Sequence, residues 1–179
     1  MKRIAPLVLV AASLYACAAP TLGPPASPPP PPYAPPSAEV FRPQDFAWST
    51  MAGGTSIAGV MAFRQGPVRY SCDGRDVILT PETPWSRRRM ILLYGSALAA
   101  AIPVEEVRRR TQSAPSGDYA RYVRKTTCDG GNRFDFGGLP GGVWFVITVA
   151  RPPQGAGGEP MAIMRRVDTR GGPRFVTLN

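Results

Sequence analysis

Apolar and polar positions alternate over short stretches along most of the chain, and this pattern predicts β-strands. The strongest stretch is residues 143–149, which is β-branched or aromatic on both faces, as in a central strand covered on both sides. The other predicted strands are residues 57–63, 76–80, 119–126, 133–136, 161–167 and 174–178. Turn signals rich in glycine and proline separate nearly all of them. The pattern favours a mainly β sandwich of about seven strands.

Residues 86–113 depart from the strand pattern. They contain an alanine-rich run over residues 97–101, then Pro103, the acidic pair Glu105 and Glu106, and three arginines. Proline at a first helical position, acids early and arginines late suit a short helix and its dipole. We expect an insertion between strands that contains one or two short helices.

The N-terminus has the pattern of an export signal. Basic residues precede an apolar stretch, residues 7–14, which is too short to span a bilayer. Residues 14–17, Leu-Tyr-Ala-Cys, resemble the lipobox of bacterial lipoproteins. The resemblance implies that residues 1–16 are removed as a signal peptide and that the thiol of Cys17 carries a lipid. An ordinary secretory signal with a chance cysteine is the alternative.

A proline-rich stretch follows, so residues 17–38 are interpreted as the lipidated Cys17 and a linker. Five consecutive prolines, residues 28–32, lack backbone donors and favour an extended spacer. At ~3.1 Å per residue, about twenty residues of such a spacer reach ~60 Å. A ligand for a proline-reading module is the alternative. The folded domain is expected over residues 39–179. Because Ala18 rather than aspartate follows the cysteine, similarity to Gram-negative sorting signals favours the outer membrane of the cell envelope, facing the periplasm or the outside.

Composition excludes several kinds of chemistry. The 179-residue sequence contains no histidine, which excludes Ser-His-Asp and Cys-His catalysis and imidazole metal sites. The formal net charge is +9, and removal of residues 1–16, which include two basic and no acidic residues, leaves +7. In an exported protein, this charge suits anionic lipid or cell-wall polymer better than nucleic acid. We expect no nucleic-acid partner and no cofactor.

The two remaining cysteines, Cys72 and Cys128, both precede Asp-Gly and therefore lie beside turns. An even pair in an oxidising compartment favours a structural disulfide. Two free thiols or a metal site are the alternatives. A zinc site would need four ligands, and a redox pair usually has Cys-x-x-Cys spacing, which is absent. We therefore predict a Cys72–Cys128 disulfide.

Residues 126–146, Thr-Thr-Cys-Asp-Gly-Gly-Asn-Arg-Phe-Asp-Phe-Gly-Gly-Leu-Pro-Gly-Gly-Val-Trp-Phe-Val, resemble the signature of carboxypeptidase regulatory-like domains. Residues 77–83, Val-Ile-Leu-Thr-Pro-Glu-Thr, are similar to an earlier strand of that family. The resemblance implies a transthyretin-like, Greek-key β-sandwich that serves as a binding, adhesion or stabilising module. It brings no catalytic zinc, because the ligand set is missing from this sequence. Asn132 stands where glycine is usual, and asparagine is the next-best residue at positive φ.

Aromatic and basic side chains near the insertion are the candidates for ligand contact. Trp85 and Tyr94 are interpreted as exposed rings that could stack on sugars, whereas Trp144 is expected in the core. The basic candidates on one side of the insertion are Arg87, Arg88 and Arg89. A second arginine triplet, residues 108–110, lies on the other side. Both could contact an anionic lipid headgroup or an acidic glycan, and a solvated loop is the alternative.

The carboxylates favour turns and solvated surfaces over metal binding or acid–base catalysis. A calcium site needs about six oxygen ligands, whereas Asp73 and Asp129 are placed to form Asx-type turns. Glu105 and Glu106 are adjacent on a helix and therefore point in different directions. We expect no metal site and no catalytic residues.

We therefore expect a non-catalytic binding or scaffolding module, held at a membrane by its lipid and partnered by an envelope protein or an anionic glycan. A module that binds cell-wall or surface polysaccharide is one alternative. An envelope hydrolase with an unrecognised carboxylate site is a less favoured one.

Mass spectrometry of the intact mature protein tests the anchoring hypothesis. The mature chain is expected to begin at Cys17 and to carry acyl mass there. Cys17→Ser should release the protein from the membrane fraction, because acyl chains supply the membrane affinity. A mature chain that begins elsewhere and lacks lipid would contradict the hypothesis.

Overall fold

Two β-sheets packed face to face form the body of the protein. The computed structural model describes residues 40–114 and 116–179. The helices in these residues are α1 (Pro43–Phe46), α2 (Pro84–Tyr94) and α3 (Val104–Thr111), with 3-10 helices at Ala47–Thr50 and Ala120–Tyr122. The strands are β1 (Thr55–Met61), β2 (Arg64–Gln65), β3 (Val68–Arg69), β4 (Asp76–Pro81), β5 (Ala99–Pro103), β6 (Arg124–Thr127), β7 (Arg133–Leu139), β8 (Val143–Ala150), β9 (Met161–Asp168) and β10 (Arg174–Leu178).

The smaller of these two sheets has three strands and the larger has five, while β2 and β3 pair with each other in a separate two-stranded sheet. The smaller sheet has the order β10–β1–β7, with β1 parallel to β10 and antiparallel to β7. The larger sheet has the order β5–β9–β8–β4–β6, and every neighbouring pair is antiparallel. The prediction of a mainly β sandwich is confirmed, and β8 takes the central position expected for residues 143–149.

The inner faces of the two sheets enclose the main core. Trp144 and Val146 of β8 belong to the same buried cluster as Ile57 of β1 and Leu139 of β7. All four side chains are fully buried. Apolar burial stabilises a fold by roughly 25 cal/mol per Å² of surface removed from water, so this cluster is the main source of stability.

Trp48 packs against the main core from the segment that precedes β1. Its ring centroid lies 4.9 Å from that of Trp144. A Cβ atom on Gly142 would lie 2.0 Å from the ring of Trp48, so glycine is required at this position. The segment around Trp48 is therefore an integral part of the domain.

Helices α2 and α3 cover part of the outer face of the larger sheet. α2 begins in a capping box, in which Thr83 Oγ1 accepts from the main-chain N–H of Ser86 and the main-chain N–H of Thr83 donates to Ser86 Oγ. Met90 and Leu93 of α2 then form a second buried cluster with Phe145 of β8. Together the helices make a third layer on the sandwich.

The predicted strands are confirmed with small shifts of their ends, except at residues 119–126. There the 3-10 helix Ala120–Tyr122 precedes β6. The ring of Tyr122 is buried and stacks on Phe46 at a centroid distance of 5.0 Å. The alternation in this segment therefore reflects aromatic packing at its start and a strand only at its end.

The alanine-rich run, to which no secondary structure was assigned from the sequence, forms a strand. Residues 99–103 are β5, which pairs with β9 along its whole length. Alanine favours helix intrinsically, but hydrogen bonding to β9 outweighs that preference. The prediction of short helices in the insertion is confirmed by α2 and α3.

The predicted disulfide between Cys72 and Cys128 is confirmed. Their Cα atoms lie 5.7 Å apart, and both residues are buried. Asn132 has a φ of 60°, and its Oδ1 accepts from the main-chain N–H of Cys72 at 2.9 Å. Asp129 Oδ1 accepts from the main-chain N–H of Gly131, as expected for an Asx-type turn. The turn before β7 is thus tied to the disulfide through Asn132.

The signal peptide, Cys17 and the proline-rich linker lie outside the described residues, so the statements about them remain predictions. Within residues 40–114 and 116–179, every helix is too short or too polar to cross a bilayer.

Removing the disulfide should destabilise the domain. Its closure of a 56-residue separation restrains the unfolded chain, and the chain-entropy estimate is about 4 kcal/mol. The double variant Cys72→Ala/Cys128→Ala should therefore unfold at a clearly lower urea concentration than the wild type. By mass spectrometry, the wild-type protein should weigh two daltons less than its reduced form. A decrease in the free energy of unfolding of less than about 1 kcal/mol would show that the disulfide contributes little to stability.

Candidate binding site

The structure buries Trp85, and its interpretation as an exposed sugar-stacking ring is wrong. The side chain is fully buried at the start of α2. Its ring lies 5.3 Å from Phe41, 6.1 Å from Phe46 and 5.0 Å from Tyr119, measured between centroids. The segment before β1 and the loop before β6 close over the indole, so Trp85 supports the structure and is not available to a ligand.

Tyr94 is also buried, with 8% of its surface exposed. The expectation of an exposed Tyr94 is therefore wrong, because α2 turns this residue toward the sheet. The remaining exposed edge nevertheless lines a groove. Tyr94 can still contact a ligand, although it cannot offer an open ring face.

The arginine triplet beside Trp85 separates into three environments, because consecutive helical residues point in different directions. Arg87 is exposed and pairs with Glu82 at 2.7 Å, and Arg88 is exposed. Arg89 is half-buried, with its guanidinium over the rings of Trp85 at 5.7 Å and Tyr119 at 5.5 Å. The structure thus brings Arg89 and Tyr94 together in one groove and leaves Arg87 and Arg88 outside it.

The second triplet is largely neutralised by acids of the same helix. Arg108 pairs with Glu105 at 2.6 Å, and both Arg109 and Arg110 pair with Glu106. These pairs stabilise α3 by a few tenths of a kcal/mol each. Because of these pairs, residues 108–110 are less suited to act as a contiguous basic surface for an anionic ligand.

The first groove lies between α2, the loop before β6 and the outer face of the larger sheet. Its volume is about 370 Å³. Met90, Leu93 and Ile147 contribute apolar walls, and Arg89 and Lys125 contribute positive charge. This groove is therefore apolar with basic side chains in its lining.

The second groove lies between α3 and the same face of the sheet. Its volume is about 680 Å³, and its lining is more polar. The charged residues of this lining are Arg75, Asp76, Glu105, Arg108, Arg151 and Glu159. Three basic and three acidic side chains line this groove, so their formal charges cancel.

Both grooves share Ile78 of β4 and Ile147 of β8. These two residues lie opposite each other in the sheet, and Ile78 lies opposite Lys125 of β6. The helices leave this pair half-buried. We refer to the two adjoining grooves as the trough; its shared floor is an apolar pair of isoleucines.

The phenol of Tyr94 stays neutral at ordinary pH. Burial raises its pKa to about 12, and the neighbouring Tyr119 adds to the increase, while Arg89 opposes it. A neutral phenol donates and accepts hydrogen bonds and does not act as a base near pH 7. The described residues contain no group of three His, Cys, Asp or Glu side chains placed to hold a metal ion. The lining of the trough offers apolar contacts and hydrogen-bonding groups.

Sequence reasoning missed Tyr119, Lys125 and the isoleucine floor. Apolar character on both faces of residues 143–149 indicates that the outer face of β8 is covered, but it does not show where that cover ends. The position of the trough depends on how far the helices reach across the sheet.

Comparison with known proteins supports the fold. No family model matches the sequence, and no curated protein matches it significantly. A solved structure from Pseudomonas aeruginosa, described as a "putative carbohydrate binding protein", superposes with a TM-score of 0.57 and 20% sequence identity. The match covers 77% of this chain and 96% of that one. At this identity, the likeness shows a shared fold alone.

Replacing Tyr94 with phenylalanine should change how stability depends on pH. Because folding raises the pKa of Tyr94 to about 12, the stability that it contributes is present below pH 10 and is lost as pH rises toward 12. Between pH 9.5 and 11.5 the wild type should lose about 2 kcal/mol more than Y94F. Urea unfolding at the two pH values measures this difference, and equal losses in both proteins would refute it.

Proposed function

We propose that this protein is an exported envelope module, anchored by lipid, that binds a saccharide chain in the trough without catalysis. The observation that carries the proposal is the pair of adjoining grooves with an apolar floor and hydrogen-bonding walls. A sugar ring presents an apolar face and a rim of hydroxyl groups, and both find partners there.

The size and form of the trough support an extended ligand. Each groove falls within the range of about 300–1,000 Å³ that is usual for ligand pockets. Two such grooves joined over Ile78 and Ile147 suit several linked rings better than one small molecule. The phenol of Tyr94 and the ammonium of Lys125 can hydrogen-bond to hydroxyl oxygens along the way.

The solved structural neighbour lends further support. It shares the fold over 77% of this chain and is described as a "putative carbohydrate binding protein". Fold alone does not determine function, so the support for saccharide binding comes from the fold and the trough together. The resemblance to carboxypeptidase regulatory-like domains agrees with this interpretation, because it implies a binding module that lacks catalytic zinc.

The disulfide supports export. Structural disulfides persist in oxidising compartments such as the bacterial periplasm, and Cys72 and Cys128 are bonded and buried. Together with the lipobox that ends at Cys17, this favours a location in the cell envelope. A domain anchored in the envelope would meet cell-wall or surface polysaccharide. The length of the proline-rich linker would set how far the domain extends from the membrane.

Co-sedimentation with purified insoluble peptidoglycan tests the proposal on the mature protein in detergent. The wild type should be retained in a saturable way. Ile78→Trp should reduce the bound fraction at least fivefold, because an indole would fill the junction of the two grooves. Leu98→Trp is the matched control, since it adds the same ring at a position that is 64% exposed and outside the trough.

Two results would contradict saccharide binding in the trough. One is equal retention of I78W and the wild type, with both shown to be folded by urea unfolding. The other is absence of retention, combined with recovery of one protein partner after cross-linking in detergent-solubilised envelope. The second result would favour the scaffolding alternative.

A further inference from the structure

A separate cleft lies where β9 of the larger sheet approaches β10, an edge strand of the smaller sheet. Its volume is about 470 Å³. Its lining includes Arg165 of β9 and Arg174, Phe175, Thr177 and Asn179 of the C-terminal segment. We call it the arginine cleft; it shares no lining residue with the trough.

The positive charge of this cleft is not neutralised by carboxylates. Arg165 Nη1 donates to Asn179 Oδ1 at 3.0 Å, and Arg174 Nε donates to the main-chain oxygen of Asp168 at 2.8 Å. Across residues 40–114 and 116–179, neither arginine has a carboxylate within ion-pair distance. Both guanidinium groups therefore keep donors and charge for an anion.

The carboxylate that lines the cleft is already occupied. Asp168 accepts hydrogen bonds from Arg170 on both of its oxygens. These bonds hold the pKa of Asp168 well below its usual range, so it remains ionised and paired. Arg170 offsets its charge, and Arg166 is similarly paired with Glu82. Arg165 and Arg174 are therefore the arginines of the cleft lining that have no carboxylate partner among the described residues.

An exposed aromatic ring lies beside these charges. Phe175 is 72% exposed, more than any other large apolar side chain that the structure describes. It lies opposite the small Ala58 on β1, so its strand neighbour does not cover the ring. Water contact with a phenyl ring is unfavourable, and a ligand with an apolar face would relieve it.

We propose that the arginine cleft binds an acidic sugar residue, a uronate. The sugar face packs on Phe175, and its carboxylate and that of a neighbouring uronate accept hydrogen bonds from Arg165 and Arg174, whose present partners are Asn179 and the main chain of Asp168. The planar guanidinium fork matches carboxylate geometry, and Thr177 and Asn179 offer partners for ring hydroxyls. The proposal stands apart from the saccharide site in the trough, because the two sites share no residue.

Isothermal titration of the mature protein in detergent with trigalacturonate tests the proposal, with neutral cellotriose as comparison. Trigalacturonate should bind saturably and cellotriose at least tenfold more weakly. Arg165→Gln and Arg174→Gln should each weaken trigalacturonate binding about tenfold, as expected for loss of one charge-assisted hydrogen bond. Phe175→Ala should weaken it at least fivefold and, at an exposed position, should leave folding intact.

Two control variants separate this site from other effects. Arg88→Gln removes the same charge at an exposed position outside the cleft and should leave the affinity unchanged. Ile78→Trp, which blocks the trough, should also leave trigalacturonate binding unchanged, so failure of one site is distinguishable from failure of the other.

Three outcomes would overturn the proposal. Because Arg88→Gln lowers the net charge without changing the cleft, a loss of affinity in R88Q equal to that in R165Q and R174Q would indicate a general charge effect. The second outcome is that F175A keeps the wild-type affinity for trigalacturonate and that an equal concentration of inorganic phosphate displaces the sugar. The cleft would then bind an adventitious ion only, without recognising the sugar ring. Equal affinity for cellotriose and trigalacturonate would remove the role of the carboxylate.

Discussion

The larger sheet must be covered on both faces, and this requirement shapes the rest of the molecule. Its central strand, β8, places Trp144 on the inner side and Phe145 on the outer side, and both are fully buried. The smaller sheet covers the inner face. On the outer face, α2 and α3 bury Phe145 but leave Ile78 and Ile147 half-buried. The trough exists because the helical cover ends at this isoleucine pair.

An aromatic cluster joins the chain before β1 to the rest of the fold. Phe46, Trp85 and Tyr122 form its buried part, with Phe41 and Tyr119 packed against it. Aromatic pairs of this kind add about 0.5–1.5 kcal/mol each beyond their buried area. The same cluster holds Tyr119 beside the trough and supports Arg89 over its rings, so a structural element also builds one wall of the candidate site.

Local pairing determines where the positive charge of this protein is available. The sequence carries a net charge of +9, yet several arginines are bound by acids close to them. Glu82 pairs with Arg87 and Arg166, and Glu106 pairs with residues of α3. In the arginine cleft the available acid is taken by Arg170, and two guanidinium groups are left beside an exposed ring. The basic triplets are conspicuous in the sequence, but pairing makes the cleft the more available positive surface.

Patterns visible in the amino-acid sequence were enough to predict the mainly β architecture, the central strand and the disulfide. Strand periodicity and turn residues are local signals that act before distant segments meet. The disulfide could be predicted because only two cysteines remain once Cys17 is assigned to the lipid, so only one pairing is possible. Tertiary structure alone decided that residues 99–103 form a strand, because β9 supplies the hydrogen-bonding partner. It also decided that Trp85 is buried, because the cover comes from segments that lie about 40 residues away on either side. Both candidate sites likewise depend on the tertiary structure, because each forms where elements that are distant in sequence come together. No local sequence pattern predicts that contact.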